Sequence, residues 1–276
     1  MMLLVVYSAG AVDVHGDRRL SGGPYYFAVK AYRSLGLDET SVAWAAEGEG
    51  CETVFAYVEG FGRKSLRLVS RPRCTWSIRP GAAVLVSPVA GEMSVDELAR
   101  IVLHYSIVGV DLQGLLRLDA GGDIVYGRGT AGFLVEWLLS LLEPAATAIV
   151  KLSIDDVGYS VLEAGNALSS WREGTAALLV TMGEKGALLY YSEGTLHCRP
   201  RIVYGGVDTR GAGDMLMALT LYGLAGEGAS VDRAVCKALS AVTCMLGGRG
   251  DCSEAYVSGR LAEASYFSGF REPALV

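Results

Sequence analysis

The chain has 276 residues, 24 Lys and Arg against 30 Asp and Glu, and 51% hydrophobic residues. That composition gives enough chain for a sizeable core and excludes intrinsic disorder. A net charge of −6 leaves no basic footprint for nucleic acid or an anionic membrane surface, and Glu136, Glu143 and Pro144 interrupt the longest apolar stretch.

No secretory pattern opens the sequence, so a soluble, cytoplasmic protein is expected. Asn and Gln occur once each, at Asn166 and Gln113, a thermophile-like avoidance of heat-labile amides. The six cysteines contain no C-x-x-C pair and the three histidines are scattered, which argues against structural zinc. Buried free thiols are the expectation, with disulfides reserved for a hyperthermophile that departs from the cytosolic rule.

In chain order, residues 3–7 read as a buried strand. Residues 24–35 read as a helix with Pro24 in its first turn and Gly36 as its stop. Between 41 and 78 the texture becomes short alternating runs split by Gly60 and Gly62, the pattern of antiparallel hairpins. Strands are then expected at 83–86, 107–110, 148–151, 177–181 and 188–191. Helices are expected at 94–103, 131–142, 159–171, 211–222, 231–245 and 254–265. Ser94 and Glu97 have capping-box spacing. The alternation predicts an α/β fold: one domain over 1–276, its mostly parallel central sheet covered by helices on both faces, with a β-rich lid inserted at about 41–78.

Residues 207–214 read V-D-T-R-G-A-G-D and run straight into an apolar helix. Gly211 and Gly213 let backbone N–H groups converge on an anion, and the helix adds its positive N-terminal end. A carboxylate there, Asp214, is what a hydroxyl nucleophile needs as a proton acceptor beside a phosphoryl group. In isolation such a string would more often be a turn capped by the acid.

The string resembles the D-T-x-G-A-G-D signature of the ribokinase-like (PfkB-type) carbohydrate kinases at every fixed position. Three further segments are similar to that family in the expected order. They are the G-G…L-G helix motif from Gly22-Gly23 to Leu35-Gly36, the V-T-x-G-x-x-G turn from Val180 to Gly186, and a β lid carrying Phe55, Tyr57, Gly60 and Arg63. The resemblance implies an ATP- and Mg²⁺-dependent kinase acting on a small sugar, polyol or nucleoside. Asp214 would be the general base, and the N–H groups of Gly211, Ala212 and Gly213 would form the anion hole. Asp13, Gly22, Gly23, Phe27 and Gln113 would meet the substrate; Ser153, Thr181, Gly183, Gly186 and Thr209 would line the nucleotide site. Asp208 would help hold a monovalent cation, and Asp156 would reach Mg²⁺ through water. A homodimer through the lid is a further implication.

The departures from the family lie in the same places. Phe27 stands where many sugar kinases carry Asn, and Ala11 replaces an Asn two residues before Asp13. The N-x-x-E element becomes Ser153-Ile154-Asp155-Asp156, which keeps a carboxylate for a hard cation. The apolar exchanges favour a ring-shaped polyol or a nucleoside over a simple pentose. Two other classes compete: a nucleotide-binding regulator without catalysis, and a nicotinamide enzyme using the G-x-G-x-x-G of residues 127–132. The second reads better as a glycine-rich helix start. His15 beside Asp13 and the run Tyr25-Tyr26-Phe27 are candidate substrate contacts whose plainer roles are structural.

Overall fold

The computed structural model describes residues 2–60, 63–121, 123–126, 131–154 and 176–267. The chain begins with β1 (Leu4–Tyr7), leaves as a hairpin of β2 (Gly10–His15) and β3 (Arg18–Gly22), and enters α1 (Pro24–Ser34). β4 (Val42–Trp44) and β5 (Ala46–Glu47) lead into a long hairpin of β6 (Glu52–Gly60) and β7 (Arg63–Ser70). Then come β8 (Thr75–Trp76), β9 (Ala83–Val86), α2 (Val95–Val102), β10 (Ile107–Asp111) and the short α3 (Gln113–Leu116). A second hairpin, β11 (Arg117–Ala120) and β12 (Asp123–Tyr126), precedes α4 (Ala131–Leu142), β13 (Thr147–Ser153) and β14 (Ala176–Thr181). The last stretch holds β15 (Ala187–Tyr191), β16 (Gly194–Pro200), α5 (Ala212–Glu227), α6 (Val231–Leu246), α7 (Ser253–Ser258) and β17 (Ala262–Phe267).

Nine strands make the central sheet, in the order β17-β16-β15-β14-β13-β10-β9-β1-β4. From β4 to β14 every pairing is parallel; β15, β16 and β17 add on antiparallel. Successive side chains alternate between two cores. Leu4 and Val6 face α1, α5 and α6, while Val5 and Tyr7 face α2 and α4. Helix α5 is buried along almost its whole length, from Met215 to Leu221 and again at Gly223 and Leu224, so it packs as an internal helix rather than a surface one. The capping box forms as expected: Ser94 Oγ accepts from the Glu97 N–H at 3.2 Å, and Glu97 Oε2 accepts from the Ser94 N–H at 2.8 Å.

The lid is broader than the 41–78 segment. Its sheet has the order β11-β12-β7-β6-β2-β3, so it draws on the hairpins at both 10–22 and 117–126. Within 41–78, β4 instead pairs in parallel with β1 in the central sheet. The helix expected over 254–265 ends at Ser258, because Gly259 takes a left-handed φ of 61° and donates to Ala255 O at 3.1 Å. Residues 262–267 then add an edge strand to β16. The helix expected at 159–171 lies outside the described residues.

The expectation of free thiols is corrected: Cys51–Cys74, Cys198–Cys236 and Cys244–Cys252 are disulfide-bonded. The first closes the base of the β6–β7 hairpin, the second ties β16 to α6, and the third ties α6 to α7. Each pair is brought together by the fold across 23, 38 and 8 residues of sequence, which is why no local cysteine spacing announces it. Among the described residues no helix is long and apolar enough to cross a membrane.

Candidate active site

A cavity of about 710 Å³ opens between the lid and the end of the central sheet where β10, β13 and β14 finish. The start of α5 forms its floor. Gly211 caps this helix in the left-handed region, at φ 71°, and a Cβ there would lie 2.1 Å from the Phe27 ring. A Cβ on Gly213 would lie 2.8 Å from Lys151 Nζ. Gly211 is therefore required by both the left-handed turn and the Phe27 ring, whereas at Gly213 only the end of the Lys151 side chain crowds a Cβ. The Ala212 N–H closes that turn on Thr209 O at 3.1 Å, whereas the N–H groups of Gly211 and Gly213 have no acceptor among the described residues. Ala212 thus engages its N–H in the turn, and all three residues of the expected cradle line the cavity.

Asp214, on the first turn of α5, keeps a part-open face to the cavity. Its carboxyl is pushed up to about 7, first by burial and then by the nearby Asp111 carboxylate; Lys151 and Arg117 pull it down without cancelling the rise. Asp111 ends β10 and lies in register with Lys151 of the parallel neighbour β13, and their side chains form an ion pair at 2.5 Å with 1% and 4% residue exposure. Such a pair can stay charged in the interior only because each ion neutralises the other. A lysine inside the apolar run A-I-V-K-L-S of β13 is the signal that would have found this pair from sequence.

On the lid side, Ala11 and Asp13 from β2, Phe55 and Tyr57 from β6, and Leu66 from β7 face Phe27 of α1 across the cavity. His15 stacks on Tyr57 with ring centres 4.1 Å apart. Of the aromatic run at the start of α1, Phe27 alone lines the cavity; Tyr25 stacks on Trp44 at 5.6 Å and Tyr26 is 45% exposed. Gln113 and Arg117 project from one end of the chamber. Arg117 donates to Val89 O at 2.9 Å and lies 5.3 Å from the Phe55 ring centre, while its buried Nε has no hydrogen-bond partner among the described residues.

The other half is lined by Ser153, Thr181, Gly183, Gly186 and Thr209, with an apolar slot between Tyr204 and the Leu239, Val242 and Leu246 face of α6. Asp13, Gly23, Phe27, Gln113, Ser153, Thr181, Gly183, Gly186, Thr209 and the whole 211–214 segment thus share one chamber. Gly22 lies behind its wall, its α-carbon face packed near Phe27 and Asp13. Asp156 lies outside the described residues. Asp208 is off the lining, and Arg210 occupies its carboxylate: Nε lies 2.9 Å from Oδ1 and Nη2 lies 2.6 Å from Oδ2. Those bonds hold the Asp208 carboxyl below its ordinary value.

The description "pfkB family carbohydrate kinase" belongs to the family model that matches residues 146–255, the stretch holding β14 and the 207–214 string. Over those residues the chain is similar to the PfkB-type carbohydrate kinases. Solved structures share the ribokinase fold of this chain across nearly its full length. One is a pyrophosphate-dependent myo-inositol-1 kinase, converted to a myo-inositol-3 kinase by mutation, at 16% identity and TM-score 0.71, covering 94% of this chain and 100% of its own. Another is the nucleoside kinase of Methanocaldococcus jannaschii, at 13% identity and TM-score 0.60, covering 94% and 98%. A third is the fructokinase of Vibrio cholerae with fructose, ADP and calcium bound, at 15% identity and TM-score 0.60, covering 92% and 96%. A comparison with curated protein sequences gives no match.

Proposed function

We propose that this PfkB-type kinase transfers a phosphoryl group from ATP to a hydroxyl of a small sugar, an inositol-like polyol or a nucleoside. The reading is carried by one observation: the Asp214 carboxyl, titrating near neutrality, shares a chamber with the Gly211 and Gly213 amides. A base poised near the working pH accepts a hydroxyl proton most effectively. The two amides and the positive end of α5 would stabilise charge on the transferred group, and Lys151, held by Asp111, adds a fixed cation beside Gly213.

The acceptor would lie on the lid side. Asp13 offers a carboxylate to its hydroxyls, Arg117 offers donors, and Phe27, Phe55, Tyr57 and Leu66 supply apolar walls for a ring face. The apolar slot by Tyr204 suits a flat base, which supports a nucleotide donor. Magnesium, when bound, would neutralise phosphate charge; Ser153 and Asp156 are its proposed partners through water. Much of the acceleration would come from holding acceptor and donor in line.

The test is a transfer assay with sugars, inositols and nucleosides, run at elevated temperature with ATP and, separately, with pyrophosphate. ATP-dependent phosphorylation of one acceptor class is expected. Nucleotide binding without transfer to any acceptor would instead favour a non-catalytic regulator on the same scaffold.

A further inference from the structure

The residue between Thr209 and Gly211 is the variable position of the 207–214 string, and here it is Arg210. Its guanidinium bonds two carboxylates through Nε, Nη1 and Nη2. Nε lies 2.9 Å from Oδ1 and 3.1 Å from Oδ2 of Asp208, and Nη2 lies 2.6 Å from the same Oδ2. The Arg210 main-chain N–H also donates to Asp208 Oδ1 at 3.1 Å. On its other edge, Nη1 donates to Oδ2 of Asp13 on the lid strand β2 at 3.1 Å. A planar guanidinium can serve two carboxylates at once because its donors leave along two edges.

A monovalent cation bound at Asp208 would need a carboxylate lone pair and would sit beside a permanent positive charge. Both Asp208 oxygens already accept from Arg210, whose guanidinium is that charge. Lys30 adds further positive potential at Asp208. The expected cation site therefore does not fit these residues.

We infer that Arg210 supplies from the chain itself the fixed charge that a monovalent cation would otherwise bring to Asp208, and that the same guanidinium orients Asp13 towards the acceptor. The second half rests on the kinase reading above; the first does not. By pinning Asp208, Arg210 fixes the turn that leads into Gly211 and so pre-sets the amide cradle. By taking one Asp13 oxygen, it leaves the other to meet a hydroxyl. Arg210 acts through these neighbours and is a positioning residue.

The experiment compares the full chain with Arg210→Ala and Arg210→Lys. Thermal melts are run in potassium, sodium and tetramethylammonium chloride at equal ionic strength. The unaltered protein should melt at one temperature in all three salts. Arg210→Ala should melt lower and recover part of the loss in millimolar guanidinium, and Arg210→Lys, a point charge unable to span both carboxylates, should fall between. With an acceptor that is turned over, Arg210→Ala should raise its KM at least tenfold while kcat falls by a smaller factor. Adding Asp13→Asn to that variant should then have less effect than in the unaltered protein. Potassium-specific stabilisation of the unaltered protein would overturn the cation half, and an unchanged acceptor KM in Arg210→Ala would overturn the positioning half. If no acceptor is phosphorylated at all, the kinase reading fails separately, and the salt and guanidinium melts still decide the role of Arg210.

Discussion

Asp214 gathers the consequences that can be tested one side chain at a time. Because its carboxyl titrates near 7, the acid limb of kcat/KM should rise through about pH 7 rather than near 4. Asp214→Asn should fold, keep nucleotide affinity and lose turnover by a factor on the order of 10³ or more, read from initial rates. The same substitution has a stability signature with a definite sign. A folded carboxyl that holds its proton more tightly than the unfolded chain contributes stability that is present below about pH 4 and lost as pH rises through about 7. Asp214→Asn should therefore be more stable than the unaltered protein at pH 8, on the order of 2–4 kcal/mol, with the difference vanishing by pH 4. Urea melts at the two pH values measure it. Gly211→Ala joins a positive φ to a collision with Phe27. It should lower stability by at least about 1 kcal/mol and cut turnover sharply, since relieving the clash moves the cradle itself.

Among the elements, α2 separates stability from chemistry. Its capping box is complete, and it lies across the sheet from the helix face that builds the cradle. Ser94→Ala should cost about 1 kcal/mol in a denaturant melt and leave kcat and KM where they were. Elements with strong local signals are legible from the residues alone. Pro24 opens α1, Ser94 caps α2, and the buried runs at 83–86 and 107–110 form neighbouring parallel strands. The failures also have local causes. Past Gly259 the helical spacing of apolar residues continues, but the glycine stops the helix and the edge of β16 captures the next segment as a strand. The 10–22 and 117–126 hairpins give no sign that they belong to the lid, because their partners β6 and β7 are distant in sequence.

For the whole molecule, the three disulfides are the largest feature that composition alone misjudged. Two of them anchor α6, whose Leu239, Val242 and Leu246 face forms the apolar slot, and the third closes the lid base. Complete reduction should lower the melting temperature markedly, since each native cross-link typically contributes about 2–4 kcal/mol. Melts with and without a phosphine reductant, checked by thiol counting, test this; an unchanged melting temperature after full reduction would show that packing alone holds α6 and the lid.

By itself the sequence determined the kind of fold and the family that the chain resembles. Period-two and period-3.6 apolar patterns are written locally, and the D-T-x-G-A-G-D string carries its chemistry in consecutive residues. Tertiary structure decided the charge arrangement within the site. Asp111 finds Lys151 only when β10 and β13 align, and Arg210 reaches Asp13 only when the lid strand crosses the start of α5. Electrostatic energy depends on distance and on exclusion of water, and both are set by the assembled chain rather than by spacing along it.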